Sequence, residues 1–172
     1  MSFNKGLERI DVELMWDPSP LGSDPHDLDL VAATYTSHAP TAAPAYLVHV
    51  DSRSPDGTIT LSRDSRDGRG LGVDEQLTLE LDRLADRYLR VVVGVAIQQN
   101  HGRLTFERIA RPEVRIRSGR DQLALEDLSG KSGWTGARVA EFVRDGSGAW
   151  GFRAGVHGFD ADPETFATVM GY

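Results

Sequence analysis

Cysteine is absent from the 172 residues of the chain. Disulfides, thiolate zinc sites, iron–sulfur clusters and cysteine nucleophiles are therefore excluded. Long apolar runs are missing too. None approaches the length of a bilayer-spanning helix. The first residues, MSFNKGLERIDVEL, alternate charged with apolar side chains and lack the apolar core of a secretory signal. Positive charge is also in deficit: 19 Lys and Arg stand against 26 Asp and Glu, a formal net charge of -7. Such a surface repels phosphate backbones, so no nucleic-acid partner is expected. The length suits one domain spanning residues 1–172 with its own core, and a cytoplasmic location is the natural expectation.

Helical periodicity is scarce as well, and period-two alternation takes its place. Ile10, Val12, Leu14 and Trp16 oppose Asp11, Glu13, Met15 and Asp17. Leu28, Leu30 and Ala32 oppose Asp27, Asp29 and Val31, and Leu77, Leu79 and Leu81 oppose Thr78, Glu80 and Asp82. These segments read as half-buried strands. The run Val91 to Ile97 is apolar on both faces and rich in valine, as a central strand covered on both sides would be. Val114 to Arg117 and Leu123 to Leu125 flank a short turn, and Ala137 to Val143 and Ala149 to Val156 flank Arg144-Asp145-Gly146-Ser147-Gly148, a hairpin signature. Helix is suggested twice: ambiguously at Leu104 to Ile109, and after Asp162-Pro163, where an N-cap aspartate precedes a proline at the first helical position. The sum is an all-β chain, an antiparallel β-sandwich with one or two short helices.

Between Ser62 and Leu81 the chain reads SRDSRDGRGLGVDEQLTLEL. Gly68, Gly70 and Gly72 imitate a phosphate cradle, but a strand pattern follows where that motif needs a helix. Asp64 and Glu75 fit the first and last positions of an EF-hand loop, yet Arg66, Gly68 and Arg69 hold the wrong inner positions. Two readings stay open. Asp64, Asp67, Asp74 and Glu75 could supply carboxylates to a non-EF calcium site, with Asp27 and Asp29 projecting from one face of a neighbouring strand. Equally, Asp and Gly are ordinary residues of solvated turns.

These residues resemble the tellurium-resistance TerD family. Leu14-Met15-Trp16-Asp17 followed by Asp27-Leu28-Asp29-Leu30 is similar to the family's Gly-Trp-Asp and Asp-Leu-Asp elements. Asp64 to Gly68 and Gly70 to Glu75 are similar to its second, acidic signature, and the likeness runs on through Val91 to Ile97, Phe106 to Arg117 and Trp150 to Ala154. The resemblance implies a two-sheet sandwich binding Ca2+ in acidic loops, with Asp27, Asp29, Asp64, Asp67, Asp74 and Glu75 as side-chain ligands. It implies no catalysis, but a stress-response role as an adaptor among other proteins of a resistance gene cluster, some membrane-associated. The chain departs from the pattern in two ways. Arg69 reverses an expected acidic charge and Leu71 and Val73 replace acids with apolar side chains, which weakens attraction for a divalent ion. These departures open the alternative of a metal-free interaction module. Few residues precede Ile10, so an N-terminal edge strand is expected to be shortened or supplied by a partner.

Other chemistry is thinly signalled. The five histidines contain no i, i+4 pair. His26 reads as a solvated turn residue beside Asp27. Ser147 sits in a hairpin turn, without the frame of a nucleophile elbow. Trp16 and Trp150 fall in strand patterns and are expected in the core, whereas Trp134 lies in a loop and would be an exposed partner contact.

Overall fold

Alternation over Arg9–Asp17 buries Ile10, Val12, Leu14 and Trp16, and this segment is strand β1. The computed structural model describes residues 6–50, 52–63, 65–70 and 72–172. The remaining strands are β2 (Leu28–Tyr35), β3 (Tyr46–Val48), β4 (Ile59–Arg63), β5 (Glu75–Glu80), β6 (Arg90–Ile97), β7 (Ala110–Ser118), β8 (Asp121–Asp127), β9 (Gly136–Arg144), β10 (Trp150–Arg153) and β11 (His157–Phe159). One helix, α1 (Pro163–Val169), follows them.

Two antiparallel sheets face each other. The first has the order β4-β5-β1-β7-β8 and the second β10-β9-β6-β2-β3, with β11 pairing β9 beside β10. Strand β1, expected to follow a missing edge strand, is the centre of its sheet, between β5 and β7. Apolar side chains of the two inner faces make the main core, among them Val12, Leu14, Leu30, Leu77, Val93 and Phe142. This is the sandwich that the alternation predicts.

The second sheet is covered on its outer face too. Val31, Ala33, Tyr35, Val92 and Ala96 form a separate apolar cluster with Phe166, Ala167 and Met170 of α1 and its end. Every residue of β2 is therefore buried, as is every residue of β6. The sequence reading of β6 as two-sided holds. Its reading of β2 as half-buried does not, because the helix covers the face that carries Val31. Asp162 caps α1, accepting from Thr165 N at 2.8 Å, with Pro163 following as expected. Beyond the helix, buried Arg90 donates to Gly171 O at 2.7 Å while pairing with Glu141 at 3.0 Å, which ties the helix end to β6 and β9.

Three further expectations resolve here. Leu104 to Ile109 contains only a single 3-10 turn, Phe106–Arg108. Ser147 lies in the β9–β10 turn, where its N–H and hydroxyl both donate to Asp145. Trp134 is half-buried, not exposed. It packs against the main core, with Gly158 directly against its ring and Lys131 Nζ 5.6 Å from the ring centre.

The helix approaches the sheet closely only because Gly94 and Gly136 lack side chains. A Cβ on Gly94 would lie 2.6 Å from Phe166 Cζ, and one on Gly136 2.9 Å from Phe166 Cδ2. Gly94→Ala should therefore lower stability by about 1–3 kcal/mol in urea unfolding, the usual range for overpacking. Combining it with Phe166→Leu should recover part of that loss. Strictly additive effects in the double variant would rule out the contact as the cause.

Candidate functional site

The acidic end of the sandwich lies where three ladders run out. The β1–β5 pairing ends at Leu14 opposite Glu75, and the register of β1 against β7 shifts between Met15 and Asp17. The N–H of Trp16 is thereby left without a ladder acceptor from β5. Asp74 supplies one: its Oδ2 accepts from Trp16 N at 2.9 Å, while its own N–H donates to Leu14 O at 3.0 Å. Strand β3 stops at Val48, opposite Ala32, so the next N–H along that edge of β2, from Leu30, lies past its reach. Glu75 crosses from the first sheet to the second, and its Oε1 accepts from Leu30 N at 2.9 Å. Each is a charge-assisted bond worth about 1.5–3 kcal/mol. Asp74 is 2% and Glu75 0% exposed.

Trp16 organises the surroundings. Its indole Nε1 donates to His26 O at 2.9 Å, which fixes the segment leading into β2. Gly68 lies against the same indole at φ +72°, and a Cβ there would meet Nε1 at 2.5 Å. His26 is thus not the solvated turn residue expected. Its ring is half-buried, and burial lowers its pKa. Trp16, Gly68, Arg69, Gly70, Asp74 and Arg111 line an open cleft of about 440 Å³. On its rim Arg111, at φ 48°, grips Asp17 through Nε at 2.7 Å and Nη2 at 3.1 Å. The guanidinium holds the Asp17 pKa below its ordinary value.

The six candidate ligands occupy different settings. Asp74 and Glu75 are adjacent and buried, as above. Asp29 is buried on the face of β2 that carries Val31, and it accepts from the Gln98 side-chain amide. Asp27 precedes β2, and its carbonyl accepts from Gln98 N at 2.8 Å. Asp67 turns toward Arg69, accepting from its N–H at 3.0 Å with its guanidinium 3.8 Å away. Asp64, like Leu71, lies outside the described residues. Glu75 thus reaches the backbone of β2 one residue from Asp29, so the two stretches of chain do meet. Among the described residues, no group of three or more His, Asp or Glu side chains is placed to hold a metal ion together.

The structure adds residues that the sequence reading passed over. Gln98 braces both Asp27 and Asp29, yet a glutamine after an apolar strand carries no local signal. Glu13, 4% exposed, pairs with Arg115 at 2.9 Å and Arg117 at 2.8 Å across β1 and β7. Alternation had placed it toward solvent, and the two arginines explain how it is buried instead. No helix among the described residues is long and apolar enough to cross a membrane.

Known proteins are similar to this chain in sequence and in fold. A sequence model of the TerD domain matches residues 1–169. The tellurium resistance protein TerD of an Alcaligenes species is 26% identical over 152 residues, covering 86% of this chain and 79% of that protein. Its Serratia marcescens counterpart is 25% identical over 157 residues, covering 89% and 82%. The solved structure of a homologue of telluride resistance protein (TerD) from Streptomyces coelicolor A3(2) superposes with a TM-score of 0.93 at 50% identity, covering 97% of this chain and 99% of that one. A solved protein of unknown function also gives 0.93, at 54% identity over 97% and 98%. The chain belongs to the TerD family.

Proposed function

We propose that this protein is a calcium-binding, non-catalytic stress-response member of the TerD family, acting in the cytoplasm in resistance to tellurium compounds and other chemical insults. It would serve as an adaptor, meeting other products of its resistance gene cluster and, through them, the membrane. Its relatives named for tellurium resistance support the stress assignment. The burial of Asp74 and Glu75, acids that are neighbours in sequence, carries the calcium part. A carboxylate in a low-dielectric setting is costly to keep charged, and a divalent cation within reach of it would offset that cost. The donor chemistry fits calcium, which takes carboxylate and carbonyl oxygens and tolerates irregular geometry. Asp74 and Glu75 would be the principal ligands, joined by Asp64, Asp67, Asp27 and Asp29 as the loop allows. The ion would lock the 65–72 loop against Trp16 and so fix the surface offered to partners.

One observation favours the metal-free alternative, an interaction module held together by its own carboxylates. Asp74 and Glu75 each already serve a backbone N–H, Asp29 takes an amide from Gln98, and Asp67 faces Arg69. These acids have structural duties whether or not an ion binds.

Amide substitutions separate the two roles, since Asn and Gln keep an acceptor oxygen but lose the charge. Asp74→Ala should cost about 1–3 kcal/mol in calcium-free buffer by leaving Trp16 N–H without its acceptor. Asp74→Asn should cost less than half as much, and equal losses would argue against the hydrogen bond as the stabilising element.

Calcium itself is tested by melting and calorimetry. At a free concentration one hundred times its Kd, one site adds about 2.7 kcal/mol, which raises Tm by roughly 5–10 °C for a chain of this size. The Asp74→Asn, Glu75→Gln double variant should remain folded and lose both the shift and the binding heat. Wild-type protein with the same Tm in calcium and in chelator, and no heat, would leave the metal-free module as the function.

A further inference from the structure

A second cavity, of about 220 Å³, opens between the segment before β2 and the loop after β6. It is separate from the Asp74–Glu75 pair. Arg103, Arg108, His26 and His101 line it, with Asp24 the lining carboxylate among the described residues. In a chain of net charge -7 this is a local reversal of sign. Its walls are held rigidly. Gln99 ties the loop to itself, donating to Ile97 O at 3.0 Å and Leu104 O at 2.9 Å and accepting from Leu104 N at 2.7 Å. Across the opening, the Trp16 indole fixes the His26 carbonyl.

The cationic groups differ in their commitments. Arg103 leans outward to Asp160 at 3.1 Å and to Gly133 O at 3.3 Å. His101 Nδ1 is 3.9 Å from Asp24. The Arg108 side chain has no ion pair or hydrogen bond among the described residues. His26 Nδ1 is buried and likewise has no hydrogen-bond partner among them. A neutral imidazole carries one N–H, and on Nδ1 it is an unused donor. The cavity is smaller than those that enclose drug-sized ligands, but it has room for a small ion. Guanidinium and imidazole donors around such a volume match the oxygens of a phosphate-class anion.

We propose that this cavity is a binding site for a small oxyanion of the phosphate class, with Arg108 as its principal charged donor and the His26 and His101 rings in its walls. The ion is either free in solution or the headgroup of a small phosphomonoester. It would join the segment before β2 to the loop after β6. The site requires no metal and stands apart from the calcium reading.

The test is titration of the full chain, in chelator and at constant ionic strength, with inorganic phosphate and with glycerol phosphate, followed by imidazole NMR and calorimetry. Saturable shifts confined to the His26 and His101 rings are expected, with His38, His49 and His157 unmoved. Tighter binding of phosphate identifies the free ion, and tighter binding of glycerol phosphate the monoester. Arg108→Gln, a surface change that leaves the fold intact, should weaken binding about tenfold or more, as loss of a charge-assisted bond does. The equally exposed Arg153→Gln should leave it unchanged. Non-saturable shifts with both ligands, or equal binding by wild type and Arg108→Gln, would overturn the site.

Discussion

Two buried carboxylates take the place of strand partners that the fold does not provide. Where β1 outruns its pairing with β5, Asp74 accepts the stranded N–H of Trp16. Where β3 ends short of Leu30, Glu75 accepts the next N–H of β2. A buried N–H without an acceptor costs about 1–3 kcal/mol, so these two bonds decide how far the ladders can fray at this end. They also differ from the rest of the core. Apolar packing between the sheets is non-directional, whereas Glu75 fixes one residue of the first sheet to one residue of the second. The relative placement of the sheets at the acidic end therefore depends on one side-chain carboxyl group.

The Asp74 bond has consequences around it. Trp16 donates its backbone N–H to Asp74 and its indole N–H to His26 O, and its ring packs against Gly68. The glycine-rich loop, the entry to β2 and the end of β1 thus rest on one side chain. The opposite face of the second sheet is organised by different means. There the helix supplies Phe166 to a shelf of small residues, and shape does the work that charge does at the acidic end. The same two central strands, β2 and β6, are sealed on one side by the other sheet and on the other by α1. This explains why their sequence is apolar from Val91 onward in β6 and nearly so in β2.

Local signals made much of this legible. The β6 run, the Asp145-Gly-Ser-Gly turn and the Asp162-Pro163 helix start all act within a few residues, so their chemistry is visible in the chain itself. Strands β3 and β11 are three residues long and exist through their partners, so no window of sequence reveals them. The face of β2 was misread for a related reason: the helix that covers Val31 arrives more than a hundred residues later. The candidate site was half legible. Its acids stood out by composition, but the bonds that give Asp74 and Glu75 their place span sequence separations of 58 and 45. Glu13 was the reverse case, an acid assigned to solvent and buried by two arginines on a neighbouring strand.

The departures from the family's acidic pattern take on a different weight in three dimensions. Arg69 bends to Asp67, with both side chains about half exposed, at 56% and 45%. Screening by solvent limits what such a pair can do to a charge buried nearby. Val73 is half-buried beside the pair that matters. Arg69 thus belongs to the loop's surface, where an acid would contribute only to general attraction for cations. Asp74 and Glu75 belong to the joint between the sheets, where removing either would strand a backbone donor. A loop can shed surface acids one at a time at little structural cost, but the joint cannot shed its two. Asp74 and Glu75 are carboxylates that the fold itself uses, so their place in this sequence is explained by the joint between the sheets whether or not an ion binds.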